Sequence, residues 1–314
     1  MITTDRELPT VTVVICTWNR SVLLRRTLEE FERLDLPPKL RWELLVVDNG
    51  CTDDTPQVVE TFMGSLPVRR VIETNQGLSH ARNRALAEAT GDLLLWTDDD
   101  VLVDRNWLTA YLDAAAHFPE APFFGGTVDP WFETTPPRWI EEHLDEFAGA
   151  FAIRQLDEGV RPLEPPELPF GANMAMRRCA VGHMRFDPAV GRSGEKLLSG
   201  EETDFLRRLR KSTGHAGVWV GDARVRHFIP SERLNRGYLS RYFKGLGTSA
   251  GERAKPGARA FMNVPLWTWR EYVERSAVCV ARWFSRDGAW ARAFRRRAYL
   301  SGYIGGCRCS EKSG

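Results

Sequence analysis

Three consecutive aspartates, Asp98-Asp99-Asp100, stand one residue beyond the apolar run Leu93–Trp96. Carboxylates this close repel and raise each other's pKa unless a cation neutralises them. With no thiolate beside them they suit Mg²⁺ or Mn²⁺, a hard ion that can bridge the oxygens of a diphosphate leaving group. The plain alternative is a solvated acidic turn capping the next helix. A second cluster is Asp48-Asn49-Gly50-Cys51-Thr52-Asp53-Asp54-Thr55. Asp48 and Asn49 offer the acceptor and donor that a pyrimidine edge or ribose hydroxyl needs, while Thr52 or Asp53 suits a helix cap. A third, Glu201-Glu202-Thr203-Asp204, could supply the carboxylate that takes a proton from an attacking hydroxyl. Glu201 and Asp204, three apart, share a helical face and Glu202 points elsewhere. Acids also suit a first turn simply through the helix dipole. His227 adds a neutral imidazole, an ordinary further ligand for an aspartate-bound divalent ion. Arg233, Arg236 and Arg241 follow, with forked donors that could clamp a diphosphate or sit on the surface.

These clusters need a frame that brings them together, and the apolar pattern supplies one. Val11–Cys16 is a β-branched run ending in the polar turn Thr17-Trp18-Asn19-Arg20, the pattern of a parallel strand covered on both faces. Helical spacing follows over Leu23–Leu34. The unit repeats as strand Leu44–Val47, a short helix near Pro56–Met63, strand Val68–Glu73, helix Leu78–Ala89 and strand Leu93–Trp96. This rhythm predicts an α/β fold, a Rossmann-like, open, mostly parallel twisted sheet flanked by helices. Ligands bind beyond the carboxyl ends of such strands, where Thr17–Arg20, Asp48–Asp54 and Asp98–Asp100 all fall. After Phe118 the rhythm loosens. Phe123–Val128, Gly171–Arg178, Val218–Val220 and Arg224–Phe228 read as strands, Glu201–Lys211 as a helix, and Asp129–Trp139 and Gln155–Pro169 as loops. Residues 1–240 are expected to form the main domain, with a nucleotide-binding half of about 10–128 and an acceptor and catalytic half of about 129–240. Residues 241–314 read as a basic helical C-terminal extension broken at Pro256 and Pro265.

Hydrophobic residues at 43% and charged residues at 27% are ordinary for a globular protein, and 314 residues can bury a large core. The net charge is +1, yet 241–314 holds 15 Lys and Arg against 5 Asp and Glu, leaving the first 240 residues acidic. A basic, tryptophan-bearing tail points to an anionic membrane surface rather than nucleic acid, the alternative being a solvated helical face. Met1–Pro9 is polar and acidic, unlike a signal peptide, and no uncharged apolar run nears the roughly 18 residues of a spanning helix. The six cysteines show no CxxC pair and no disulfide spacing, and Cys307-x-Cys309 lacks partners for a metal site. A cytoplasmic chain, peripheral at the inner face of the membrane, is expected. The turn after the first strand holds no GxGxxG and the chain no GxxxxGK[ST], against a nicotinamide dehydrogenase or a P-loop enzyme. The glycine-rich basic loop of a sugar nucleotidyltransferase is missing as well.

In their order along the chain, these motifs resemble the family 2 glycosyltransferases with the GT-A fold. They are VVICTWNR (Val13–Arg20), VVDNGCTDDT (Val46–Thr55), NQGLSHARN (Asn75–Asn83), TDDD (Thr97–Asp100), GANMAMRR (Gly171–Arg178), GEETDF (Gly200–Phe205) and RHF (Arg226–Phe228). The resemblance covers about Thr10–Phe243. It implies a nucleotide diphosphate sugar donor, usually of uridine, and transfer with inversion to a saccharide, lipid-linked or small-molecule acceptor. By the same resemblance Thr17, Asn19 and Asp48 hold the nucleoside, with Arg20, Asn49, Gly77, Arg82 and Asp99 as further donor contacts. Asp98 lies near the ribose, and Asp100 binds Mn²⁺ or Mg²⁺ with His227 and Asp98 assisting. The family's last acidic motif reads Glu-Asp. Here it reads Glu201-Glu202, so the base implied is Glu202, one methylene longer, with Glu201 and Asp204 as fallbacks. Asn173 is the candidate contact for the donor sugar and Arg233 for the diphosphate. Trp131 and Trp139 are candidates for stacking on an acceptor sugar. The Glu-Glu pair also admits another function, a non-catalytic carbohydrate or nucleotide-sugar binding scaffold derived from a transferase.

Overall fold

Val11–Thr17 (β1) is buried along its length because its side chains alternate between two apolar layers, Val11, Val13 and Ile15 in one and Val14 in the other. The computed structural model to which it belongs describes residues 8–189, 200–254 and 260–309. β1 pairs in parallel with Trp42–Asp48 (β2), which is edged by Val68–Ile72 (β3), and on its other side with Leu93–Asp98 (β4). Val101–Val103 (β5), Phe123–Phe132 (β6), Val160–Pro162 (β7), Asn173–Arg177 (β8) and Val218–Ile229 (β9) complete a nine-stranded sheet among the described residues. Its order is β3-β2-β1-β4-β8-β6-β9-β5, with β7 on β9. The β4–β8, β6–β8 and β5–β9 pairs are antiparallel. Ser21–Phe31 (α1) and Thr55–Phe62 (α2) pack into one layer, Leu78–Glu88 (α3) into the other, Trp107–His117 (α4) into the first and Glu201–Thr213 (α5) into the second.

Register sets the site. In the parallel ladder Thr17 stands opposite Asp48 and Cys16 opposite Asp98, so the three polar strand ends reach one rim at one level. Val101 stands opposite His227, which carries a residue from late in the chain back to the aspartate turn. The two short strands expected at Val218–Val220 and Arg224–Phe228 are one strand, β9. Gly221 is there for close approach rather than for a break, since a Cβ would lie 2.5 Å from the Glu158 backbone. Asp129–Phe132, expected in a loop, continues β6, and the chain between the aspartates and Phe118 forms β5 and α4.

The described residues form two compact units, one taking the chain to Trp131 and again from Ala152 to Phe228, the other Phe132–Phe151 and the chain from Ile229. In the second, Arg236–Glu252 (α6), Leu266–Ala281 (α7) and Gly288–Cys309 (α8) pack together. α6 and α8 meet backbone to backbone. A Cβ on Gly247 would fall 1.9 Å from the Tyr299 carbonyl oxygen, and one on Gly302 1.9 Å from that of Lys244. Pro265 immediately precedes α7, whereas Pro256 lies outside the described residues. Among the described residues no helix is long and apolar enough to cross a membrane.

Candidate active site

At the β2 end, Asp48 is buried and both its carboxylate oxygens are engaged. Oδ2 pairs with Arg70 Nη1 at 2.6 Å, and Oδ1 accepts the Cys51 N–H at 2.7 Å. Asn49 braces the next loop. Its amide donates to the carbonyls of Glu73 and Asn75, and its Oδ1 accepts the Gly77 N–H at 2.9 Å. Gly77 has φ +131, a conformation that calls for glycine. Asn19 joins the first two strand ends, its Oδ1 accepting from Thr52 N–H at 2.7 Å. Thr17 Oγ1 donates to Asp99 Oδ2 at 2.7 Å.

The aspartate turn divides its labour. Asp99 points into the protein, where Arg20 Nη1 lies 3.0 Å from Oδ1, and burial pushes its carboxyl up to about 7 against the pull of Arg20. Thr27 Oγ1 holds the turn from beneath by donating to the Asp99 carbonyl at 3.0 Å. Asp100 takes Arg20 on Oδ2 at 2.8 Å and faces His227 Nε2 with Oδ1 at 3.5 Å. The Phe228 N–H straps the Asp100 carbonyl at 2.9 Å. Asp98, Asp100 and His227 thereby offer ligand atoms that all lie within 4.8 Å of one another. Asp100 Oδ1 and His227 Nδ1 are buried, and neither has a hydrogen-bond partner among the described residues. Buried polar atoms are seldom left so. Two carboxylates and an imidazole fit a divalent metal, and a cation would relieve a site whose carboxylates outnumber the guanidiniums of Arg20, Arg70 and Arg82. Nearby, burial pushes the Cys16 thiol up to about 12.

Arg82 links this rim to α5. It is buried over the Phe186 ring, and its Nη1 lies 3.0 Å from Glu201 Oε1 and 3.6 Å from Glu202 Oε2. Gly171 leaves room for it, since a Cβ there would fall 2.2 Å from Arg82 Nη2. The three acids of the first turn differ. Asp204 pairs outward with Arg208 at 2.8 Å, and Glu201 is buried on Arg82 and the Gly200 N–H. Glu202 keeps 12% of its side chain exposed, and burial with the Glu201 charge holds its carboxyl above the ordinary glutamate range while Arg82 pulls it down.

Asn173, expected at the donor sugar, belongs to the core instead. It is fully buried, and its amide accepts from Trp107 Nε1 and Tyr111 OH and donates to the carbonyls of Thr127 and Ala223. With those four bonds made, no polar atom is left for a ligand. Trp131 is half-buried against Phe228, with ring centroids 4.9 Å apart, beside the His227 end of β9. Trp139 packs in the second unit between Phe147 and Trp290, and Arg233 of that unit lies over the Tyr238 ring. Sequence reasoning missed Arg70. Its signal was two arginines, Arg69 and Arg70, inside an otherwise apolar strand.

A sheet parallel through β3-β2-β1-β4 and antiparallel beyond, flanked by helices and with an Asp-Asp-His set at its rim, has the architecture of the GT-A glycosyltransferase fold. The model of glycosyl transferase family 2 matches residues 12–181, and the chain belongs to that family. It is 27% identical over 236 residues to the glucosyl-dolichyl phosphate glucuronosyltransferase of Haloferax volcanii, covering 73% of this chain and 72% of that one. In fold it is similar to the mannosyltransferase PcManGT of Pyrobaculum calidifontis in complex with GDP-Man and Mn²⁺, with TM-score 0.63, 18% identity and 96% and 87% of the two chains covered. It is also similar to S. aureus TarS in complex with UDP-GlcNAc, with TM-score 0.51, 16% identity and 97% and 91% covered.

Proposed function

We propose that the enzyme transfers a sugar with inversion from a nucleoside diphosphate donor, uridine diphosphate first, to a saccharide hydroxyl. The name of the Haloferax relative favours a lipid-linked acceptor. The observation that carries the reading is the Asp98–Asp100–His227 set, joined through Arg82 to an acid pair. Mn²⁺ or Mg²⁺, when bound by those three side chains, supplies charge neutralisation for the departing diphosphate. Asp48 and the β1 and β2 turns receive the nucleoside. Glu202 accepts the proton of the acceptor hydroxyl as its oxygen bonds to the anomeric carbon on the face opposite the diphosphate. The bond from that carbon to the diphosphate oxygen breaks, and its electron pair leaves with the diphosphate. Arg82 keeps Glu201 and Glu202 tolerable side by side.

The test is Mn²⁺-dependent release of nucleoside diphosphate from a panel of sugar donors, with and without acceptor saccharides. Glu202→Gln should retain donor binding and lose turnover by at least about a hundredfold. No release from any donor, with Glu202→Gln indistinguishable from the parent, would favour the binding scaffold.

A further inference from the structure

The second unit carries an apolar face that its own packing does not use. Leu266, Val273 and Val280 recur at seven-residue steps on α7, and Trp267 flanks them. Thr268 and Cys279, on the far side of the helix, are buried. Val273 is 65% exposed and Val280 77%, and Phe284, just beyond the helix, is 96% exposed. Side chains of this size so far out of the protein mark an interaction surface rather than scattered surface residues.

Charge says which partner fits. Cations stand at both ends of the face. Arg308 lies over the Trp269 ring beside Met262 at one end, and Arg236 and Arg286 flank the Trp283 ring at 4.3 and 5.9 Å at the other. The neighbouring α8 holds five arginines and no acidic residue. Arg292 and Arg295 pair with Glu146 and Arg296 with Glu271, whereas Arg297 lies over the Tyr272 ring and, like Arg308, has no carboxylate partner among the described residues. An apolar ridge flanked by the exposed Arg270–Glu274 pair and bounded by tryptophan and arginine matches the boundary between acyl chains and headgroups, where the apolar side chains enter hydrocarbon and the guanidiniums meet phosphate. A 16-residue helix bearing Arg270, Glu271, Glu274 and Arg275 is too short and too charged to span, so it would lie in the plane of the surface.

We propose that α7 and the turn after it dock on an anionic lipid bilayer, with Leu266, Val273, Val280 and Phe284 inserted and Arg286, Arg297 and Arg308 on the headgroups. The assignment rests on this surface alone and not on the donor or acceptor reading.

The experiment is sedimentation of the full chain with phosphatidylcholine vesicles, with and without phosphatidylglycerol, in the absence of donor. The parent should bind the anionic vesicles, and binding should fall as salt screens the arginines. Val273→Asp combined with Val280→Asp should weaken it by at least about tenfold while leaving the melting temperature and donor cleavage in solution unchanged, because both positions are exposed. Arg297→Gln combined with Arg308→Gln should remove the preference for phosphatidylglycerol while leaving the weaker apolar component. Equal binding by parent and the aspartate variant, or no preference for the anionic lipid, overturns the proposal. So does a parent that ignores vesicles but self-associates through a contact the aspartates abolish, which would make the face a dimer surface. A failure here leaves the transferase reading untouched, because no substrate enters the measurement.

Discussion

A buried glutamate can act as a base only when its charge is tolerated, and the neighbours of Glu202 pull in opposite directions. Burial and Glu201 favour its protonated form, while Arg82 favours the carboxylate, with a net upward shift. As the proposed base, Glu202 acts when ionised, so activity is expected to be lost as pH falls through the raised value and to be full above it. The acid limb of kcat/KM should therefore lie above the ordinary glutamate range near about 4.3. A limb inside that range, or one that Glu201→Gln removes while Glu202→Gln does not, would move the base to Glu201. What the sequence could reveal at this scale was charge out of place, since carboxylates in a row at a strand end announce a cation. It could not reveal partners. Nothing local to Asn173 tells that Trp107, Tyr111, Thr127 and Ala223 will take all four of its hydrogen bonds. Nor does anything local to Asn49 tell that its side chain will brace the loop through Glu73, Asn75 and Gly77.

Elements were legible where one physical rule dominated. β1, β2 and β4 read as strands because both faces are covered and every position prefers apolar side chains. Gly221 and Asp222 have the residue types of a turn in the middle of β9, and only the neighbouring backbone of Glu158 explains the glycine. The α6–α8 pair shows the same limit, as its glycines have meaning only through the helix opposite. Gly247→Ala would drive a methyl into the Tyr299 carbonyl oxygen, and because backbone meets backbone the helices must separate. Overpacking of this kind costs about 1–3 kcal/mol. Gly245 on the same helix has open space around its Cβ position, so Gly245→Ala should be neutral or stabilise by about 0.5–1 kcal/mol. Paired thermal melts check both, and equal melting temperatures for the two variants would mean that α6 and α8 do not approach this closely.

For the whole molecule the consequence is linkage. The groups that meet at the rim come from Thr17, Asp48, Arg82, Asp98, Asp100, Glu202 and His227, so a ligand gripping them ties together chain segments separated by most of the first unit. A ligand that binds only the folded state stabilises it by roughly 2.7 kcal/mol at a hundred times its Kd, which moves the melting point of a domain this size by several degrees, at about 2–4 °C per kcal/mol. Uridine diphosphate with Mn²⁺ should therefore raise the melting temperature by more than the two separate increments added together, because carboxylates that repel an anion accept it once a cation lies between them. Asp100→Ala should abolish that excess and keep the small increment of nucleotide alone, since Asp48 and the turns beside it are intact. A screen across nucleosides ranks the donors by the same readout. An excess that survives Asp100→Ala would place the cation on residues other than the Asp98–Asp100–His227 set, and a purely additive response would separate metal binding from donor binding altogether.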